Sequence, residues 1–320
     1  MTVKKTKKNK KYNLVYMAKP VYGGWVSFTS HLALKKNYSL YKISNKTESK
    51  ERAYGYGVSY RNLSIDDLVK LPNLLITAVD KKYYQYLPKI RNATIVIHDP
   101  TELKEEVLDF IRRSRVITIR QTVQKLLKTK YGISSRFLYH PFYEFPIKQN
   151  SIISKNNNIS ISRVDFDKNT HLVVEANDKL PKKRQVQIYG ALNDLYVYHK
   201  LRHTNFKKYY LGKFGKEFED LKKILEKCRY MVDLSSIKND GGGSQYTFLE
   251  AIYMGCILVL NSKWVDSVKT HFKDGINCFV VTDSEGLVKL LRTDIKENKQ
   301  RKMISVAKKL LSNHTAARGW

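Results

Sequence analysis

Gly241-Gly242-Gly243 runs straight into Ser244-Gln245-Tyr246-Thr247-Phe248-Leu249-Glu250-Ala251-Ile252-Tyr253-Met254, halts at Gly255, and resumes as Cys256-Ile257-Leu258-Val259-Leu260. A flexible loop, a short helix, a stop and an apolar run are the parts of a helix laid on a buried strand. Ser244 suits the helix cap, and Gly255 suits the left-handed turn that ends it. Phe248, Ala251, Ile252 and Gly255 recur at helical spacing and are expected to face a core, with Glu250 off that stripe. A glycine-rich loop feeding a helix start presents backbone N–H groups and a partial positive charge, which suit a phosphate. Thr247 and Glu250, one or two turns in, can take sugar hydroxyls. Together they suggest a nucleotide-sugar pocket; a plain turn before a helix with a solvated Glu250 is the alternative.

The same strand–helix alternation fills the rest of the chain. Tyr12 to Ala18 reads as a strand, followed by Gly23-Gly24 and a helix through about Leu34. Leu74 to Val79, Thr94 to His98 and Val116 to Ile119 read as buried strands, with helices at Leu103 to Arg113 and Gln121 to Lys130. The polar stretch Lys148 to Asn158 is expected to be a hinge. A second set follows. Strands are expected at Ile159 to Ser162, Gln185 to Tyr189, Lys208 to Leu211 and Tyr230 to Leu234, and helices at Thr170 to Asn177, Leu192 to Arg202, Phe214 to Lys227 and Lys296 to Leu311. The expected fold class is α/β, with two Rossmann-like doubly wound parallel-sheet lobes facing a cleft. Residues 1–150 form the first lobe, residues 1–11 of it a flexible basic tail, and residues 151–320 form the second.

A chain of 320 residues with 42% hydrophobic content can build two such cores. The net charge of +30 calls for a polyanionic partner, either nucleic acid or an anionic membrane surface. The first 150 residues hold 29 bases and 11 acids, the rest 30 and 18, so the charge is concentrated in the first lobe. Cys228, Cys256 and Cys278 lack metal-ligand spacing and sit by apolar runs, as buried thiols in a reducing compartment do. No run is long enough to span a bilayer, and the short apolar stretch after the basic start is too brief for a signal peptide, so a cytoplasmic location is expected.

Chemistry gathers at the expected strand ends. Arg163 and Lys168, five residues apart after the first strand of the second lobe, can clamp a diphosphate. Gly23 and Gly24 repeat the phosphate-turn pattern in the first lobe but lack the full dinucleotide fingerprint, which argues against a nicotinamide cofactor. His98 ends a strand, where it either meets a substrate hydroxyl and moves a proton or simply caps the sheet edge; Asp99 is placed to orient it. Arg112, Arg113, Arg115, Arg120, Lys125, Lys128 and Lys130 form a dense basic stretch, and Tyr83, Tyr84 and Tyr86 accompany Lys81 and Lys82. Cations interleaved with aromatics suit nucleic acid, and a solvated helix face is the plainer alternative.

These segments resemble a family. Ser162 to Lys168, Gln187-Ile188-Tyr189-Gly190, Tyr209 to Phe214 and Asp233-Leu234-Ser235-Ser236 through Leu260 are similar, in order and spacing, to the family-4-type retaining glycosyltransferases of the two-Rossmann-lobe B type. The resemblance implies that Arg163 and Lys168 hold the donor diphosphate, that Glu250 holds the donor ribose, that Gly23 or Gly24 approaches a phosphate, and that His98 is the cleft histidine. It implies retention of anomeric configuration, a UDP-sugar as the most fitting donor, no other cofactor and no bound metal. Gly190, Asp240, Gly241, Gly242, Gly243, Ser244 and Thr247 complete the implied donor set. The family's first paired Glu is replaced by Gly242, and Asp240 or the loop amides are left to serve in its place. Tyr16-Met17-Ala18-Lys19 with the following Gly-Gly, Ile97-His98-Asp99 and Tyr246-Thr247-x-Leu249-Glu250 are more loosely similar to the DNA α-glucosyltransferases of T-even phages. That likeness implies a hydroxymethylated DNA base as acceptor, in a host cytoplasm. A lipid-linked or polysaccharide acceptor at an anionic membrane, and a non-catalytic nucleic-acid-binding protein on this fold, are the alternatives.

Overall fold

The computed structural model describes residues 11–19, 23–45, 47–48, 50–147, 155–215, 217–236, 246–267 and 271–320. The chain divides into two compact units, Met1–Tyr143 together with Arg318–Trp320, and Glu144–Ala317.

The first unit is built on eight strands: β1 Asn13–Met17, β2 Ser39–Ile43, β3 Arg52–Gly55, β4 Val58–Leu63, β5 Leu74–Val79, β6 Thr94–Ile97, β7 Arg115–Thr118 and β8 Arg136–Phe137. They lie in the order β3-β4-β2-β1-β5-β6-β7-β8, and every neighbouring pair is parallel except the β3/β4 hairpin. β5 and β6 are near-continuous apolar runs because parallel strands are covered on both faces. β2, β3 and β4 were not foreseen. They mix exposed polar residues with a few buried ones, as strands near a sheet edge do, so no apolar run marks them.

The helix Gly24–Lys36 follows β1 and buries Val26, Phe28, Leu32 and Ala33. It ends at Asn37, whose left-handed φ of 51° closes the last turn. The end of the chain belongs to this unit: the Trp320 indole donates to the Tyr139 carbonyl at 2.8 Å and packs edge-on to Phe28. An assignment of every residue after 150 to the second lobe therefore does not hold for residues 318–320.

The second unit has β9 Asn157–Ile161, β10 Val186–Tyr189, β11 Cys228–Asp233, β12 Ile257–Asn261 and β13 Cys278–Val281, all parallel, in the order β10-β9-β11-β12-β13. Helices Thr170–Lys179, Phe218–Leu225, Tyr246–Tyr253, Ser284–Arg292 and Glu297–Lys309 accompany it. Gly255 has φ 74°, and Cys256 N–H reaches back to the Ala251 carbonyl at 2.8 Å, which stops the helix before β12.

Three local readings change. Asn157 and Asn158 start β9 rather than end a hinge, and residues 148–154 lie outside the described residues. Lys208 to Leu211 is not a strand: Phe206–Tyr209 is a helical turn, because Phe206 and Tyr209 both bury at a spacing of three. The segment after Leu192 is helical from Asp194, capped by the Asn193 side chain, and widens to a π-turn over Val197–Leu201. The three cysteines are buried free thiols, and the basic residues 4–10 are outside the described set.

Candidate active site

In the second unit the carboxyl ends of β9 and β11 are stitched together by side chains. Asp165 caps the turn Phe166–Lys168 and accepts from Asn193 Nδ2 at 2.8 Å. Asn169, in the left-handed region at φ 50°, donates through Nδ2 to the Leu234 carbonyl at 2.9 Å and to Ser236 Oγ at 2.8 Å. These bonds fix where Lys168 points. Its ammonium donates to Ser235 Oγ at 3.0 Å and lies 3.4 Å from Asp167, with the side chain only 9% exposed. The Ser235 hydroxyl in turn donates a hydrogen bond to Asp233 Oδ1, and Asp233 is 3% exposed with Oδ2 unpartnered among the described residues. A buried carboxylate is costly unless paired, so the row Lys168–Ser235–Asp233 stands as a unit. Sequence reasoning placed Lys168 here but not Asp233 or Ser235; the available signal was a carboxylate and two hydroxyls closing an otherwise apolar strand.

Arg163 differs from Lys168. It contacts Asp165 at 2.7 Å and Asp167 at 3.7 Å, but its side chain is 62% exposed. Such an ion pair holds little energy and leaves the guanidinium able to swing to an incoming anion.

Gly190 has no room for a side chain. A Cβ there would lie 1.7 Å from the Ser162 carbonyl oxygen, and φ is +151°. Its N–H donates to the Gly212 carbonyl at 3.0 Å, and its carbonyl accepts from the Tyr210 hydroxyl at 2.7 Å. It lets the ends of β9 and β10 approach beside Arg163.

Thr247 and Glu250 lie on the helix Tyr246–Tyr253. Thr247 is half-buried, and Glu250, expected off the core-facing stripe, is 3% exposed. Burial, helped by the nearby Glu250 charge, pushes the Tyr246 hydroxyl well above its ordinary pKa. Asp240, Gly241, Gly242, Gly243 and Ser244 lie outside the described residues.

In the first unit, Gly23 has φ 98° and ψ −175°, a conformation that side chains resist, and opens the helix Gly24–Lys36 with no side-chain cap and no acid in the first turn. Among the described residues, a Cβ on Gly23 or Gly24 would meet nothing within 4 Å.

His98 follows β6 and is 6% exposed. Its Nε2 sits 2.8 Å from the Thr77 carbonyl. A carbonyl only accepts, so Nε2 carries the proton and Nδ1 keeps its lone pair. Burial depresses its pKa to about 4, so the ring is neutral at pH 7. Asp99 does not orient the ring. Its carboxylate binds the Thr101 amide at 2.8 Å and the Thr101 hydroxyl, capping a turn, and the Thr77 carbonyl orients His98 instead.

Glu102 was missed. Its carboxyl accepts from the Trp25 indole at 2.8 Å and from the His98 amide at 3.0 Å, tying the helix start at Gly24 to the end of β6. Burial, aided by the Asp99 charge, raises its pKa to about 8. A carboxylate four residues past a strand-ending histidine was the only sequence hint.

Tyr83, Tyr84 and Tyr86 are half-buried against the first unit's core, and Arg112, Arg113, Arg115, Lys125, Lys128 and Lys130 are exposed. The tyrosines are thus partly wall rather than open stacking platforms. Among the described residues no cluster of three or more metal-ligating side chains occurs, and no helix is long and apolar enough to cross a membrane.

Residues 169–319 match a family model described as glycosyl transferase-like. A search of curated sequences finds no match. Among solved structures, an α-glucosyltransferase in complex with UDP and a 13-mer DNA containing an HMU base superposes with TM-score 0.70 at 16% identity, covering 95% of each chain. Anabaena Alr3699/HepE in complex with UDP gives TM-score 0.67 at 14% identity over 96% of each. A glycosyltransferase from Rickettsia africae gives 0.65 at 12% identity, covering 96% of this chain and 95% of that one. At such identities the structural likeness speaks for the fold. Residues 169–319 therefore carry a glycosyl transferase-like domain, and the chain has the two-lobe B-type fold of these solved structures.

Proposed function

We propose that the chain moves a sugar from UDP-glucose or a related UDP-sugar to the hydroxyl of a hydroxymethylated base in duplex DNA, with retention at the anomeric carbon. The observation that carries the donor half is Lys168, an ammonium held at 9% exposure on Ser235 at the carboxyl edge of the second sheet. A fixed cation at that edge stabilises charge building on a departing diphosphate without reorganising. Arg163, exposed and mobile by comparison, closes on the same phosphates. Glu250 takes ribose hydroxyls. In the first unit His98 serves the acceptor side, with its neutral Nδ1 free of the Thr77 bond. The α-glucosyltransferase and HepE structures hold UDP, which supports the donor class. No metal or further cofactor is part of this reading.

For the acceptor, the support is a net charge of +30 and the DNA containing an HMU base in the α-glucosyltransferase complex. A second reading has one observation in its favour. Phe166, Leu192, Leu195 and Tyr198 are exposed apolar side chains, and Arg202 lies over the Tyr198 ring. Apolar groups beside cations suit a lipid-linked acceptor at an anionic membrane. Labelled UDP-glucose offered with plain duplex, hydroxymethylated duplex or anionic vesicles carrying lipid acceptor separates the readings. Label on hydroxymethylated DNA alone is expected. Label on lipid, or donor hydrolysis with no DNA product, removes the DNA acceptor and leaves the transferase.

A further inference from the structure

Lys42, on β2, carries a charge that no acid answers. Its ammonium lies 5.5 Å from the Tyr16 ring centre and 5.3 Å from that of Tyr60. The strand register explains the grouping. Val15 pairs with Tyr41, so Tyr16 stands beside Lys42; Lys42 pairs with Asn62, so Tyr60, two residues earlier on β4, shares its face. Lys42 is half-buried, and burial alone lowers its pKa. Among the described residues no carboxylate forms an ion pair with it. Glu48, on the neighbouring segment, is held by Arg52 at 2.6 and 2.7 Å and by Asn62 at 2.9 Å. Asp80 is turned to the Lys82 and Lys19 amides at 3.0 and 3.4 Å.

More positive charge lies close by. The Lys19 and Lys82 amides both bind the Asp80 carboxylate, which brings the two lysines together just past β1 and β5. Tyr16 on β1 stands beside Lys42, and Lys19 follows Tyr16 three residues on, so both groups lie at the same ends of β1, β2 and β5. A folded chain gains nothing from leaving a half-buried ammonium without a counter-ion and setting two more beside it. An anion that arrives with the ligand supplies what is missing; of the two rings beside Lys42, Tyr16 is fully buried, and the half-buried Tyr60 suits a flat aromatic partner.

We propose that Lys42 between Tyr16 and Tyr60, with Lys19 and Lys82 beside Tyr83, binds one phosphate-bearing nucleotide of the acceptor strand. The ammonium groups take the phosphate, and the half-buried Tyr60 ring takes the base. The site is distinct from the donor residues of the second unit, and it rests on the reading of DNA as acceptor.

The test is calorimetric titration of the full chain with a 5′-phosphorylated thymidine dinucleotide, with inorganic phosphate and, as a control for the donor side, with UDP. Lys42→Met keeps the aliphatic stem and removes the charge. It is expected to weaken dinucleotide binding about tenfold or more while leaving UDP binding unchanged, and Lys42→Arg is expected to retain most of the affinity. Inorganic phosphate is expected to bind more weakly than the dinucleotide. Should Lys42→Met lower the melting temperature, the exposed pair Lys19→Ala/Lys82→Ala tests the same site without touching packed rings and is expected to weaken the dinucleotide severalfold. Unchanged dinucleotide binding in both variants overturns the proposal, as does phosphate binding equal to that of the dinucleotide. Sugar transfer to hydroxymethylated DNA with wild-type KM in both variants overturns it while leaving the DNA acceptor standing. Lys42-dependent dinucleotide binding in a chain that glycosylates no DNA preserves the site and removes the acceptor reading.

Discussion

The carboxyl edges of the two sheets handle charge in opposite ways. In the second unit charge is kept and fixed: Lys168 on Ser235, Ser235 on Asp233, and Arg163 on Asp165 and Asp167. At the end of β6 in the first unit charge is suppressed. Burial pulls His98 down to about 4 and pushes Glu102 up to about 8, so near pH 7 the imidazole is neutral and the carboxyl is mostly protonated. An edge that must hold a diphosphate needs cations in place before the substrate arrives. An edge that must accept or pass a proton needs groups whose protonation is poised rather than fixed. The proposed division of labour, donor binding on one sheet and acceptor chemistry on the other, draws on this contrast.

The sharpest way to break that contrast is to remove the fixed charge. Lys168→Met is expected to cut kcat with UDP-glucose by about 10²–10³-fold, the range for losing one preorganised stabilising group, in a steady-state transfer assay. A loss below threefold would mean the Lys168 row is a structural bond and nothing more. Gly190→Ala attacks the same edge through sterics. With the Ser162 carbonyl oxygen 1.7 Å from the new methyl, the two strand ends must separate, at a cost of about 3 kcal/mol or more read as a lower denaturation midpoint.

On the first unit the prediction concerns pH. Glu102 has a folded pKa raised above its unfolded value, so the stability it contributes is full below about pH 4.5 and is lost as pH rises through about 8. Glu102→Gln is expected to flatten stability between pH 6 and 9, sparing about 1–2 kcal/mol of the alkaline loss after allowance for partial exposure. His98 runs the other way. Its folded pKa is depressed, so its contribution is present above about 6.5 and disappears as pH falls through about 4. Denaturation profiles of wild type, Glu102→Gln and His98→Asn across this range check both signs. The smallest effect is reserved for Arg163. Its exposed ion pairs are worth less than about 1 kcal/mol, so Arg163→Ala is expected to leave the melting temperature unchanged while lowering kcat/KM about tenfold.

Much of this was legible in the chain, for identifiable reasons. β5, β6, β11 and β12 announce themselves because a parallel strand covered on both faces must be apolar throughout. Lys168 and Arg163 fall just past β9, and that position after a strand is what singled them out. β2 to β4 were not legible, because strands near an edge are half polar, and with them went the Lys42 cluster, which exists only once register sets Tyr16 and Tyr60 on its face. Asp233 and Glu102 were hidden for a different reason. Each is an acid whose meaning depends on burial, and burial is a property of the assembled fold. Glu250 shows the same limit: its position off the apolar stripe suggested solvent, yet the helix is buried all round at that level. The return of Trp320 to the first unit is a long-range packing choice that no local pattern encodes.

The most direct measurement of the central claim is calorimetric binding of UDP, against uridine, to wild type and Lys168→Met at pH 7. The expected result is that UDP binds wild type far more tightly than uridine does, and that Lys168→Met removes most of that difference while the far-ultraviolet spectrum shows the fold retained. Equal UDP affinity in the two proteins would contradict the assignment of the second sheet's fixed cation to the donor diphosphate.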